Sequence, residues 1–182
     1  MAPPVRTPRQ AWIDAALAIL AEAGAEAIRV ETLAARLGVT RGGFYRQFAS
    51  RQELLDAVLD SWELRTVDEV RERVEREGGD AKAKVRKAGA LTFSPRLLPI
   101  DLAVREWARR DPAVADRLRR VDNERMEYLR DLIGTISDDP REVEARAMLA
   151  FSLVIANYLI TAEHGTGSRA EIIDSAIQFV LK

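Results

Sequence analysis

Apolar residues recur along almost the whole chain at spacings of three and four, and no stretch alternates apolar with polar between turn residues. The pattern predicts an all-α protein with no convincing strand. A first helix is expected over residues 8–23, stopped by Gly24, and a short second one over 31–37, stopped by Gly38. A third lies within VTRGGFYRQF, residues 39–48, with Thr40 as its N-cap. A fourth begins at SRQE, where Ser50 and Glu53 stand at capping-box spacing. Leu54, Leu55, Val58, Leu59 and Trp62 form its apolar stripe, and a more polar continuation runs to Glu77 before Gly78 and Gly79. Further helices are expected over 80–93, 95–110, 112–136 and 139–164, with Pro95, Pro112 and Pro140 in first turns. The last, 169–181, opens on a capping box from Ser168 to Glu171 and carries Ile172, Ile173, Ala176, Ile177, Val180 and Leu181 on one stripe.

Two segments break the simple amphipathic pattern. From Met148 to Ile160 the polar residues are Ser152 and Asn157, so apolar side chains point in every direction and one core does not cover them all. One face is expected to pack inside the subunit. Another, with the final helix, is expected to meet a second copy through Leu153, Ile160, Ile173, Ile177 and Val180. The alternative is a central helix wholly enclosed in one subunit.

The second exception is the glycine pair Gly42 and Gly43, each of which costs a helix about 1 kcal/mol relative to alanine. At about 100° per residue, Phe44 and Phe48 share one face, Gly42, Gly43 and Arg46 lie opposite, and Tyr45 and Gln47 flank them. LAARLGVTRGGFYRQF therefore has the layout of a helix-turn-helix, whose second helix puts its N-terminal residues against base edges in the major groove. A missing side chain lets the backbone approach a phosphate or a base. Amides at a helix N-terminus favour an anion there. Arg41 and Arg46 carry guanidinium groups able to pair with guanine O6 and N7 together, or to contact phosphate, or to remain solvated.

Charge sharpens this picture. The net charge is -1, yet residues 1–51 hold seven arginines against Asp14, Glu22, Glu26 and Glu31, a local +3 that leaves -4 for the rest. Such asymmetry points the N-terminal part toward a polyanion. With 182 residues and 47% apolar content, a sizeable core in one or two domains is expected. The chain has no cysteine, which excludes disulfides, a thiol nucleophile and zinc held by cysteine. The longest near-continuous apolar run, 148–160, is too short to span a bilayer, so a soluble cytoplasmic protein with no membrane partner is expected. His164, in EHGTG, has no nucleophile or acid at supporting spacing, and GTG lacks the strand a dinucleotide loop needs. His164 is read as a structural residue at a helix C-terminus before Gly165. No catalytic residue, cofactor or metal is expected.

Residues 12–59, WIDAALAILAEAGAEAIRVETLAARLGVTRGGFYRQFASRQELLDAVL, resemble the DNA-binding domain of TetR-family transcriptional regulators in order, spacing and residue type. The C-terminal two thirds is similar in helix layout alone. The resemblance implies that Arg41, Gly42, Gly43 and Gln47 face bases or backbone, and that Tyr45 and Arg51 bind phosphate. This chain departs from the family where many members have a hydroxyl residue at the position of Gly43, a histidine at Gln47 and a Ser or Thr cap at Arg29. The implied architecture is a three-helix helix-turn-helix domain over 1–50, its first eight residues a flexible arm, then a helical ligand-binding and dimerisation domain over 51–182. By the same resemblance, Trp62, Phe93, Trp107, Tyr128, Phe151, Asn157 and Tyr158 line an effector pocket, with Asn123 and Arg105 as further polar contacts. The implied protein is a ligand-responsive repressor that binds a near-palindromic double-stranded DNA operator as a homodimer and is released by a small, largely apolar effector. The rival reading is a helical protein-interaction module that keeps the head without sequence-specific DNA binding.

Overall fold

A computed structural model of the chain describes residues 7–182; Arg6 and most of the arm expected over residues 1–8 lie outside the described residues. The described residues form α1 (Arg9–Ala23), a 3-10 turn (Ala25–Ala27), α2 (Val30–Leu37), α3 (Arg41–Tyr45), α4 (Arg51–Thr66), α5 (Asp68–Glu77), α6 (Ala81–Thr92), α7 (Leu98–Ala108), α8 (Pro112–Ile133), α9 (Pro140–Leu159) and α10 (Arg169–Val180). Among them there is no strand, as the periodicity predicts. No helix among them is long and apolar enough to cross a membrane.

The chain divides into two compact units. The first holds Met1–Thr66 with Pro95–Leu118, and the second Val67–Ser94 with Arg119–Lys182. In the first, α1 packs against α2, α4 and α7. Its core is built on Trp12, Leu20, Ile28, Leu33, Phe44, Phe48, Leu54, Val58 and Trp62, each nearly or fully buried. Trp62 donates its indole Nε1 to Asp101 Oδ1 at 3.2 Å, and Arg105 Nε donates to Asp101 Oδ2 at 2.9 Å. A fully buried carboxylate is thereby hydrogen-bonded and charge-compensated, as burial of an ion requires. In the second unit Val85, Met126, Leu129, Leu132, Ile133, Ala147, Ala150, Ile177 and Leu181 make one cluster, and Val70, Val74 and Ala88 a smaller one.

Four sequence expectations need correction. The fourth helix does not run on to Glu77. It ends at Thr66, whose hydroxyl donates back to Trp62 O at 2.8 Å, and Val67 leaves helical geometry at φ -116°, ψ -70°. Pro95 does not begin a helix either: residues 94–97 form turns, α7 starts at Leu98, and Pro99 takes the first-turn position. The ninth helix stops at Leu159, short of residue 164. The Arg169 guanidinium accounts for that end, donating to Asn157 O, Ile160 O and Ala162 O at 2.7–2.8 Å and satisfying carbonyls that a further turn would have used. His164 consequently lies exposed in the connecting loop and not at a helix C-terminus.

Both capping boxes form, the first in altered shape. Ser168 Oγ accepts from Glu171 N, and Glu171 accepts from Ser168 N, which is the full reciprocal pair. At α4, Glu53 N donates to Ser50 Oγ at 3.1 Å, but the Glu53 carboxylate takes the Ala49 amide instead, at 2.7 Å. Thr40 stands at the N-cap of α3 with extended dihedrals, and its side chain makes no cap bond.

Candidate nucleic-acid interface

The interface is built on the α2–α3 pair. Gly38 closes α2 in the left-handed region at φ 65°, ψ 32°, which a Cβ would disfavour, and Val39 N then returns to Ala34 O at 2.9 Å. That turn sets the start of α3. α3 is anchored from below by Phe44, which meets the Trp12 ring edge-on at 5.5 Å and stacks on Phe48 at 5.4 Å. The opposite surface carries Arg41, Gly42 and Arg46, all exposed, and Tyr45, 55% exposed with its ring edge-on to Phe44 at 5.2 Å.

Neither glycine of the pair is needed by the fold. Both have negative φ. A Cβ added at Gly42 would lie 3.7 Å from Thr40 Oγ1, and one at Gly43 3.5 Å from Trp12 Cζ2 and 3.9 Å from Val39 Cγ2, all ordinary van der Waals distances. Alanine would fit at either position and favour the helix by about 1 kcal/mol.

The remaining site residues are engaged to different degrees. Arg41 Nε lies 3.3 Å from Glu31 Oε1 in an open ion pair. Arg46 has no ion pair among the described residues. Gln47 is half-buried and donates Nε2 to Thr7 O at 3.1 Å. Arg51 points two donors inward, Nε to Ile28 O at 2.6 Å and Nη2 to Ala25 O at 2.8 Å, closing the 3-10 turn onto α4. Arg29 occupies the N-cap of α2 without a cap bond, since a guanidinium offers no acceptor.

The residues named for an effector pocket are dispersed. Trp62 is core, bonded to Asp101. Trp107 lines a groove of about 630 Å³ with Leu20, Leu98 and Leu102 in the first unit. In the second unit, Phe93 and Phe151 lie 6.3 Å apart, and the Tyr158 hydroxyl donates to Phe93 O at 3.1 Å. The Tyr128 hydroxyl donates to Glu75 at 2.7 Å; burial and the adjacent carboxylate push the phenol well above its usual range. Asn157 takes Arg169, Asn123 is exposed, and Arg105 is committed to Asp101.

The residues named for a dimer face sort by depth. Ile177 is buried in the protomer's own core, Leu153, Ile173 and Val180 pack against that core, and Ile160 is 51% exposed. Met148, Leu149, Leu159 and Phe179, large apolar residues of α9 and α10 outside that set, also stand more than half exposed.

Residues 13–58, which carry α2, α3 and the glycine pair, match the model of the bacterial regulatory proteins of the tetR family. Residues 13–58 are thus a regulatory domain of tetR-family type. Solved structures extend the likeness along almost all of the chain. AibR, in complex with isovaleryl coenzyme A and operator DNA, shares 16% identity at a TM-score of 0.68 over 94% of this chain and 96% of its own. A TetR/AcrR-family regulator from Thermobifida fusca shares 20% identity at 0.62 over 95% and 96%. A transcriptional regulator from Rhodococcus shares 23% identity at 0.71 over 96% and 94%. At such identities the likeness establishes the fold. No curated protein matches the sequence. The chain thus pairs an N-terminal helix-turn-helix domain that matches the tetR-family model with a C-terminal helical region whose fold is like that of solved TetR-family structures.

Proposed function

We propose that the chain is a ligand-responsive transcriptional repressor of the cytoplasm that binds a near-palindromic operator as a homodimer and is released by a small, largely apolar effector. The observation that carries the DNA half of this reading is the glycine pair. Gly42 and Gly43 lower helix propensity where neither backbone dihedral nor packing asks for glycine, so the benefit lies outside the chain, in close approach of α3 to DNA. Arg46, Arg41 and Tyr45 flank that approach, and Arg51 supports it from within by holding the 3-10 turn against α4. Residues 1–50 do the reading, and residues 51–182 serve dimerisation and effector binding.

A single α3 of five residues covers few base pairs, and a two-fold pair doubles the reading. Half-sites about 34–36 Å apart, or a multiple, follow from two such helices in successive major grooves. The exposed apolar residues of α9 and α10 supply the dimer face. AibR, a protein of this fold, was solved with an acyl thioester and DNA together, which favours an effector that is partly apolar.

Selection of duplexes from a random pool by the full chain, followed by salt titration of the selected sequence, tests the reading. The expected result is an inverted repeat whose binding weakens steeply with salt, because phosphate contacts release counterions. Absence of enrichment, or binding insensitive to salt, would overturn it in favour of a protein partner.

A further inference from the structure

Within the first unit, α1 packs along α7, and the groove of about 630 Å³ runs between the end of α1, the 3-10 turn and α7. Its apolar lining includes Leu20 and Leu98, both buried, and Leu102 and Trp107, both half-buried. A volume within about 300–1,000 Å³ suits a small molecule. The charged residues of the same lining then decide which kind.

Four carboxylates, Glu22, Glu26, Glu106 and Asp111, share the lining with one guanidinium, Arg110. Arg110 is already engaged by Glu106 at 2.8 Å, and Arg109 approaches that carboxylate at 3.9 Å. Arg36, from outside the lining, holds Glu22 at 2.7 Å. Two carboxylates are left over. Glu26 is exposed and makes no ion pair among the described residues. Asp111 accepts the Ala113 and Val114 amides through Oδ1 at 3.0 and 3.4 Å and likewise makes no ion pair among them. α1 ends at this groove without a basic residue in its last turn, so the negative end of its dipole adds to the same field.

This lining repels an anion, and a neutral guest leaves Glu26 and Asp111 without a counter-charge. An organic cation with an apolar body matches both halves of it, and an indole is the aromatic ring that best attracts such a cation. We propose that the groove between α1 and α7 is a binding site for a small organic cation of the quaternary ammonium or phosphonium type. Its apolar body lies against the leucines, and its charge is met by the carboxylates and Trp107. The site differs from the effector pocket expected from the sequence, of which Trp107 is the one residue in this lining. It stands whether or not the chain reads DNA.

Tetraphenylphosphonium and tetraphenylborate share a shape and carry opposite charges, so calorimetric titration of each into the full chain separates the groove's charge from its apolar character. The phosphonium is expected to bind once per protomer and at least about tenfold more tightly than the borate, since one nearby carboxylate attracts the first and repels the second. Glu26→Gln, which breaks no ion pair among the described residues, should narrow that preference by about threefold. Glu106→Gln also releases Arg110 and should narrow it further. Trp107→Leu keeps apolar bulk but removes the ring, and should weaken the phosphonium more than the borate. Glu124→Gln makes the same change of charge at an exposed carboxylate of α8 outside the lining, and should leave the preference where it was. Equal affinity for the two ions, absence of phosphonium binding, or a preference that Glu124→Gln narrows as much as Glu26→Gln does would each overturn the inference.

Discussion

The surface of α3 and the outer faces of α9 and α10 are both open, and they are made of opposite materials. Around α3 the exposed groups are guanidiniums, bare backbone at Gly42 and a phenol, and the apolar residues Phe44 and Phe48 are fully withdrawn. On α9 and α10 the exposed groups are Met148, Leu149, Leu159, Ile160 and Phe179, the last also covered by Lys182 Nζ at 4.3 Å from its ring. A polar surface that gives up helix propensity suits a hydrated polyanion that must come close. Large apolar side chains left exposed on two helices suit a dry, self-complementary contact, because exposed apolar surface marks an interaction site. On the proposed function the same chain separates a face that reads from a face that assembles, and each can be broken without the other.

The largest expected effect is on assembly. Leu159 and Phe179 are each 69% exposed, so Leu159→Asp with Phe179→Asp removes nothing the protomer core needs. Full burial of such a side chain is worth about 1.5–3 kcal/mol, and a two-fold interface presents each residue twice, so the dimer should weaken by about 6 kcal/mol or more. Sedimentation should show a monomer at micromolar concentration, with the thermal midpoint of the monomer unchanged. A double variant that remains dimeric would place the interface elsewhere.

Ile177→Ala sharpens the same comparison from inside. Ile177 is 6% exposed and belongs to the cluster of Leu129, Ile133, Ala147 and Leu181. Its truncation should cost about 2–5 kcal/mol of folding stability, as large-to-small core changes do. Denaturant unfolding measures this. If Ile177→Ala left the unfolding midpoint in place and dissociated the dimer, the assignment of inner and outer faces on α10 would be inverted.

The contrast between the two regions also explains what the sequence makes legible. The helix-turn-helix was readable because its signals are local: Gly38 for a left-handed turn, Phe44 and Phe48 on one face, a glycine pair on the other. At α9 and α10 the stripe was readable but its depth was not, since Ile173, Ile177 and Val180 look alike in periodicity and differ in which neighbours cover them. Helix ends set by distant partners were equally hidden. Arg169 ends α9 from ten residues beyond Leu159, and nothing in the run 148–164 announces it. The bond from Trp62 to Asp101, thirty-nine residues further on, was hidden too. The bond from Gln47 to the Thr7 carbonyl was hidden as well, since a backbone carbonyl has no sequence signature at all.

The smallest expected effect is the most specific to the reading face. Gly42→Ala with Gly43→Ala adds two methyl groups that meet Thr40, Val39 and Trp12 at 3.5–3.9 Å, so the folded chain accommodates them. Each replacement should raise stability by up to about 1 kcal/mol through helix propensity. Gly38→Ala, by contrast, forces a side chain into the left-handed region at φ +65° and should lower stability by about 1–2 kcal/mol, although open space surrounds it. Glycines four and five positions apart in the same motif therefore answer one substitution with opposite signs. Affinity for the selected operator should fall by at least about tenfold in the Gly42, Gly43 pair, or about 1.4 kcal/mol, because the methyl groups stand between backbone and DNA. A chain that became more stable and bound its operator as before would show that close approach at α3 is not what the glycines provide. The reading face would then reduce to Arg41, Tyr45 and Arg46, and the contrast with α9 and α10 would rest on charge alone.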